Sequence, residues 1–415
     1  MSILVFAAYY EPENIASPYI AEGIRRGFIE AGYRVKLYVP TPSRGLSAEQ
    51  IAQYSKKRYE TKYDGKMEIY RYPMYAEKTG TMQRMLRYLC CNIIQLYFGI
   101  KSKNVEAIFA ASTPPTHGIT IAILKKLKKI PVVYSLQDVF PDSLVQTGLA
   151  SEKSILFKIG TKLEQFSYKN IDHIVVPSKS IKENLLKKFV PEEKITVIRN
   201  WVNEQDVYPI SREQNQLFDE FGLSKEAFYI VYAGNMGPAQ DIETILDAAV
   251  KIQDNTNICF VLFGRGTQYE EHKQMAQKKR LKNMIFLPLQ PYARVSEVYS
   301  LGDACIVSCK AGMGKTALPS KTWSIMAAER PVLANFDRSS DLEEILRETS
   351  SGLLNDSGKS EDLVNNILNL YKNREECIRM GKRGRKYVMK CLNKEHGVSQ
   401  YVSCLKSVMG EKNEK

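Results

Sequence analysis

The run 228-FYIVYAGNMGPAQDIETILDAA-249 joins an apolar strand pattern to an amphipathic helical one through two glycines, Gly234 and Gly237. Glycine lets the backbone approach a ligand closely, and the helix that follows offers unpaired N–H groups and the positive end of its dipole. That chemistry suits a phosphate or diphosphate, with Asn235 and Gln240 able to add hydrogen bonds. The same residues also fit an ordinary strand-to-helix turn, in which glycine relieves the corner and Pro238 starts the helix. A second loop, 263-FGRG-266, sets Arg265 beside Gly264 at the end of a strand pattern. There a guanidinium can pair with phosphate or simply face solvent. A third, 309-CKAGMGKTALPSKTWSIMAAERPV-332, leads through Pro319 and Ser320 to Lys321 at a helix start. A cation at that end of a helix is unfavourable unless an anion faces it, which makes Lys321 a candidate phosphate partner. The 314-GKT-316 within it is not a P-loop, because Cys309 stands where the pattern needs its first glycine and Pro319 interrupts the helix that should follow.

Two loops of the first half also follow strand patterns, 112-STPPTHG-118 and 137-QDVFPDSLVQTG-148. Asp138 and Asp142 are clustered carboxylates that can orient a hydroxyl or take its proton, or else serve as turn and cap residues. His117 is a candidate for the same surface or a structural histidine. There is no D-x-D, so a divalent-metal clamp of that kind is not expected. The eight cysteines form no C-x-x-C pair, which fits free thiols in a reducing cytosol and no metal site.

Short apolar runs alternate with helical patterns almost throughout, the mark of an α/β fold with parallel sheets. Strands are predicted at 2–8, 33–39, 105–111, 130–136, 172–178 and 194–200, then at 228–234, 257–264, 283–289, 303–309 and 331–336. Two such sets imply two doubly wound domains, 1–200 and 201–385, followed by a helical, charged tail at 386–415. Ser17 can cap the first helix, with Pro18 at its first position and Gly32 ending it. Residues 40–66 read as a loop or inserted excursion. In open α/β sheets ligands sit beyond the carboxyl ends of the strands, where the loops named above lie.

The chain of 415 residues carries a formal charge of +13. About 30 Lys+Arg against 19 Asp+Glu fall in residues 1–205, so most of that excess lies in the first half. Such a half suits an anionic partner, nucleic acid or an acidic bilayer. Residues 2-SILVFAAYY-10 lack a basic leader and read as a strand, not a signal. The run 88-YLCCNIIQLYFGI-100 is too short to span a bilayer. The stretch 82–103 reads as a helix that either rests on a membrane surface, helped by 124-LKKLKK-129, or is a buried crossover. No nucleic-acid reader motif is present.

The series YAGNMGPAQDIETILDAA, FVLFGRG, IFLPLQPYARVSEVYSLGDACIV and LPSKTWSIMAAERPV resembles glycosyltransferase family 4, in its branch making bacterial capsule, O-antigen and exopolysaccharide units. The first half is similar more loosely, through YYEPENIASPYIAEGIRRGFIEAGYRVKLY, STPPTHG and QDVFPDS. The resemblance implies the GT-B fold, two facing Rossmann-like domains with a C-terminal helix crossing back. It implies a retaining, metal-independent transfer with no cofactor beyond the sugar-nucleotide substrate. Donor-side residues would be Gly234, Asn235, Gly237, Gln240, Gly264, Arg265, Pro319, Ser320, Lys321 and Ser324. Asp138 would be the acceptor-side carboxylate, with Ser17, His117 and Asp142 nearby. The family's paired glutamates are missing: Ser324 stands at the second, and Glu329 takes a place usually held by glycine. Pro238-Ala239-Gln240 replaces the usual basic residue after the diphosphate loop, and 13-ENIASPY-19 replaces an N-terminal glycine pair. The expected protein is a cytoplasmic enzyme, peripheral on the inner face of the plasma membrane. It would move a hexose or N-acetylated sugar from a UDP-sugar to a polyprenyl-diphosphate-linked saccharide and bind no nucleic acid. The alternatives are a UDP-sugar epimerase of the same fold and a non-catalytic protein that binds a membrane or a partner.

Overall fold

A strand that is apolar on both faces has to lie inside a sheet covered on both sides. Ser2–Phe6 (β1) is such a strand, with Ile3, Leu4, Val5 and Phe6 buried. In the computed structural model it is flanked on both sides, by β2 (Arg34–Pro40) and β5 (Ala107–Ala111), in parallel register. The structure describes residues 1–13, 18–77, 80–142, 145, 151–314 and 318–411. Contacts divide the chain into two units, Met1–Arg199 with the chain from Val398 onward, and Asn200–Gly397.

The first unit adds β3 (Tyr59–Lys62), β4 (Met67–Tyr72), β6 (Val132–Ser135), β7 (His173–Val176) and β8 (Ile195–Val197). The order is β3-β4-β2-β1-β5-β6-β7-β8, all parallel except β3, which runs antiparallel to β4. Strand order reverses between β1 and β5, the switch point at which loops after the strands open a crevice. The second unit has β9 (Phe228–Asn235), β10 (Ile258–Arg265), β11 (Met284–Pro288), β12 (Ala304–Ser308), β13 (Val332–Asn335) and β14 (Gly352–Asn355). Its order is β11-β10-β9-β12-β13-β14, parallel throughout.

Three strands were not legible in the sequence. Residues 40–66 are not a plain loop. Ser47 and Gln50 form a reciprocal capping box on the helix Ala48–Lys56, and a hairpin follows. Its turn places Tyr63, Asp64 and Gly65 at positive φ, and β4 then joins β2. The strands YETK and MEIYRY alternate polar with apolar residues, and GLLN at β14 is only 4 residues long, so none makes a long apolar run.

The first helix, Pro18–Glu30, opens on the expected proline, buries Ile24 and Phe28, and is followed by Gly32 at φ +94°. Ser17, its expected cap, lies outside the described residues. The helix Arg374–Cys391 spans the expected boundary at 386 and belongs to the second unit. The next helix, Lys394–Met409, carries the chain back into the first unit from Val398. There Val398 lies against Gly27, where any side chain would meet it at 2.2 Å, and Tyr401 exchanges a hydroxyl contact of 2.9 Å with Ser135.

Glu329, at the place where glycine was expected, has φ +61°. Its carbonyl oxygen would lie 2.1 Å from a Cβ on Gly381, so the backbone there cannot relax outward. An L-residue in that region costs about 1–2 kcal/mol that glycine does not. Glu329→Gly is therefore expected to raise the urea midpoint by about 1 kcal/mol equivalent, whereas Glu329→Ala leaves it unchanged. Equal midpoints for the two variants would refute the strain.

Candidate active site

β9 and β10 end together, with Gly264 opposite Gly234 and Arg265 opposite Asn235. The two loops are locked through Met236. Its backbone N–H donates to Arg265 O at 2.7 Å, and Gln268 N–H donates to its carbonyl at 3.1 Å. A Cβ on Gly264 would lie 2.4 Å from the Met236 side chain, and one on Gly266, which has φ +138°, would lie 2.4 Å from Met236 O. Glycine at 266 thus allows close approach of one backbone to another, and glycine at 264 makes room for the Met236 side chain. Arg265 is left exposed at the strand end, with no ion pair among the described residues.

Gly234 has φ +147°, and a Cβ there would lie 2.9 Å from Lys321 Nζ. The third loop therefore delivers its lysine to the first. Lys321 begins the helix Lys321–Ala327, and its ammonium sits 4.2 Å from the centroid of the Tyr232 ring. Tyr232 in turn donates its hydroxyl to Asn235 O at 2.6 Å. Lys321 has no carboxylate partner among the described residues, and burial pushes its pKa down to about 8. A cation–π contact of about 0.5–2 kcal/mol offsets only part of that desolvation. Pro319, Ser320 and Ser324 share the Lys321 segment, but among the described residues no side-chain hydrogen bond ties them to the glycine loops.

Two expectations need correction. The helix after the first loop begins at Ile242, not at Pro238, and Asp241 precedes it at φ +47°. The Gly237 N–H is also already engaged, because Gln240 Oε1 accepts from it at 3.0 Å and from Asn235 Nδ2 at 3.1 Å. An anion reaching that amide must displace a side-chain oxygen that already mimics one. Likewise Gly312 and Gly314 N–H both donate to the Asp337 carboxylate, at 3.0 and 2.7 Å.

Sequence reasoning missed a buried polar set beneath these loops. Ser308, Asn335 and Asn355 end β12, β13 and β14 in register. Asn335 Nδ2 donates to Asp241 Oδ2 at 2.8 Å and to Ser308 Oγ at 2.9 Å, and Asn355 Nδ2 donates to Asn335 Oδ1 at 2.8 Å. Thr244 Oγ1 also donates to Asp241 Oδ2 at 2.8 Å, and Lys310 N–H to Ala239 O at 2.9 Å. Asp241 thereby ties the 234–241 loop to three strand ends. The available signal was a polar residue ending each of three apolar strands.

In the first unit, Asp138 follows β6 with its backbone N–H 3.4 Å from Ser112 Oγ. Its side chain reaches solvent, yet the surrounding protein desolvates the carboxyl enough to raise its pKa. It makes no ion pair among the described residues. His117 does not line a surface. It is fully buried, with Nδ1 2.9 Å from Ala111 O and Nε2 2.6 Å from Gln95 Oε1, and burial pushes its pKa down to about 4. Asp142 is also spoken for, pairing with Lys188 at 2.8 Å and accepting from Asn184 at 2.9 Å. Lys188, at the end of the helix Lys179–Lys187, also pairs with Glu164 of the helix Ile155–Asn170, so the lysine that holds Asp142 links two helices. Among the described residues no group of three His, Cys, Asp or Glu is placed to hold a metal ion.

Residues 213–387 match the family "Glycosyl transferases group 1", and residues 20–206 match "Glycosyltransferase Family 4". The chain is 25% identical over 341 residues to the colanic acid biosynthesis glycosyl transferase WcaI of Escherichia coli (strain K12), covering 79% of this chain and 81% of that one. Among solved structures, sucrose-phosphate synthase from Thermosynechococcus elongatus superposes with a TM-score of 0.73 at 14% identity, over 99% of both chains. Anabaena Alr3699/HepE in complex with UDP gives a TM-score of 0.74 at 13% identity, over 98% of this chain and 100% of that one. With one family match on each parallel-sheet unit and the fold shared along nearly its whole length, the chain belongs to glycosyltransferase family 4, is built on the GT-B fold and is a glycosyltransferase.

Proposed function

We propose that the second unit binds the diphosphate of a UDP-sugar and that the sugar passes to a polyprenyl-diphosphate-linked saccharide during synthesis of a bacterial surface polysaccharide. The observation that carries this reading is Lys321, an ammonium desolvated with no carboxylate partner among the described residues and held beside Gly234. A diphosphate supplies the missing counter-charge. The name of the Escherichia coli relative supports the polysaccharide part, and the UDP complex of the Anabaena protein supports the nucleotide.

In this mechanism negative charge grows on the leaving diphosphate as the glycosidic bond breaks. Lys321, Arg265 and the amides of the 234–237 loop neutralise it, with Gln240 swinging aside to free the Gly237 N–H. The acceptor hydroxyl attacks from the face the diphosphate leaves, so configuration is retained without a protein nucleophile. Asp138 orients that hydroxyl, and its raised pKa brings it closer to the range in which a carboxylate can accept the proton. The reaction needs no metal in this reading, so activity is expected to survive EDTA. The enzyme works from the cytoplasmic side, at the inner face of the membrane that holds its lipid-linked acceptor.

Protonated Lys321 is the form that binds the diphosphate. With a free pKa of about 8, UDP affinity is expected to be level below that pH and to fall as pH rises through it. UDP binding near pH 8 should be accompanied by proton uptake, measurable by calorimetry in buffers of different ionisation enthalpy. Lys321→Arg keeps its charge and flattens the profile. Lys321→Ala is expected to weaken UDP by roughly 10–100-fold, the loss of about 1.5–3 kcal/mol for a charge-assisted hydrogen bond. An unchanged affinity in Lys321→Ala would remove the basis of the proposal. Incubation with lipid extract and a panel of UDP-sugars should yield a lipid-linked product heavier by one sugar residue in mass spectrometry, and Asp138→Asn should slow its formation while leaving UDP affinity intact.

A further inference from the structure

The helix Thr81–Lys101 buries one face and leaves the other bare. Met82, Met85, Leu86, Leu89, Ile93 and Tyr97 are each between 49% and 69% exposed. With ~100° per residue they fall in an arc about 120° wide, and with Ile100 the stripe runs about 27 Å along the helix. No charged residue lies inside the arc. Its buried side is fixed by close packing, since a Cβ on Gly99 would lie 2.5 Å from Leu124 and 3.1 Å from Phe6. The exposed face is therefore not a core face awaiting a small rotation.

Two further helices lie in the same layer. His117–Lys128 packs against Thr81–Lys101, and Ile155–Asn170 packs against His117–Lys128. They expose Leu127 (60%), Ile155 (76%) and Ile159 (52%). Lysines border these apolar side chains, with Lys126 and Lys129 beside Leu127, and Lys158 and Lys162 beside Ile159. At the far end of the stripe an open cleft of about 730 Å³ is lined by Lys101, Lys103, Lys128 and Ile100. Among the described residues none of these seven lysines pairs with a carboxylate. Residues 81–170 hold 12 Lys+Arg against 5 Asp+Glu.

We propose that this three-helix face docks the first unit on an anionic lipid monolayer, the apolar stripe entering the acyl boundary and the lysines meeting headgroup phosphates. An uncharged stripe bordered by unpaired cations is what an interfacial helix presents to such a surface. No described helix is long and apolar enough to cross a membrane, so the helix lies in the plane of the surface. A second copy is the poorer occupant, because a two-fold contact through this face would set unpaired lysines against their own equivalents. The inference deepens the membrane location proposed above. It also gives that location an orientation, since the helix starts after the carboxyl end of β4 and ends before β5 begins. Its first residues lie at the sheet edge where Asp138 follows β6, and a lipid-linked acceptor held in the monolayer would enter there.

The test is vesicle co-sedimentation with phosphatidylcholine alone and with phosphatidylglycerol added, alongside UDP calorimetry and sedimentation velocity on the same proteins. The parent chain is expected to bind the mixed vesicles and to bind pure phosphatidylcholine weakly. Changing Leu86, Leu89 and Ile93 together to Gln should weaken vesicle binding by at least about tenfold and leave UDP affinity unchanged, since all three side chains are exposed. Lys101→Glu with Lys103→Glu should abolish the preference for the anionic lipid. An Ile93→Trp variant should show blue-shifted fluorescence on mixed vesicles. The proposal is overturned if the triple variant binds vesicles as the parent does, if the parent ignores anionic vesicles while still binding UDP, or if the parent is a dimer that the triple variant converts to monomer. Loss of UDP binding in the parent would instead strike the donor assignment and leave this surface standing.

Discussion

An ammonium largely withdrawn from water, with no carboxylate beside it among the described residues, destabilises the fold that holds it, and Lys321 is such a group. The neighbouring Tyr232 ring eases the cost without removing it. Gly234 leaves room in front of the nitrogen, and a methyl group there would collide with it. A site of this kind holds its electrostatic energy in reserve until an anion arrives.

That arrangement depends on loops being held in place by their own packing and not by a ligand. Met236 threads between Gly264 and Gly266, and the glycines are what permit it. Asp241, in a left-handed conformation, anchors the end of the loop to the ends of β12, β13 and β14 through Asn335, Ser308 and Asn355. Buried hydrogen bonds of this sort contribute little net stability each, but leaving one partner unsatisfied costs more, so the set acts together to fix the geometry. Gln240 meanwhile keeps Gly237 N–H occupied, which spares the empty loop an unsatisfied donor.

The first unit divides its polar residues differently. His117 and Asp142 look catalytic by type and position, yet one is sealed inside the unit and the other ties Lys188 in place. Asp138 makes no ion pair among the described residues, and it stands just beyond the carboxyl end of β6 with its side chain in contact with solvent. The outer face of the same unit exposes a row of large apolar side chains along the helix Thr81–Lys101, from Met82 to Ile100.

The alternation of apolar runs and amphipathic segments determined the two parallel sheets, because a doubly covered strand has to be apolar on both faces wherever it occurs. It also located the glycine loops, Arg265 and Lys321, since the ends of strands and the starts of helices are local events. Local reasoning failed for β3, β4 and β14, whose residues become strand only by pairing with a neighbour already in place. It failed for His117 and Asp142, because the partners that occupy them arrive from Gln95 and Lys188, far away in sequence. The same holds for Asp241, whose bonds to Ser308 and Asn335 span 67 and 94 positions. The stretch from 82 to 103 showed apolar side chains around much of a helix, and only packing against Leu124 and Phe6 decided which of them remain in the open. Pattern along the chain reports what a residue can do, and burial and partners report what it is free to do. The second is a property of the assembled unit, because desolvation and hydrogen bonding depend on neighbours in space.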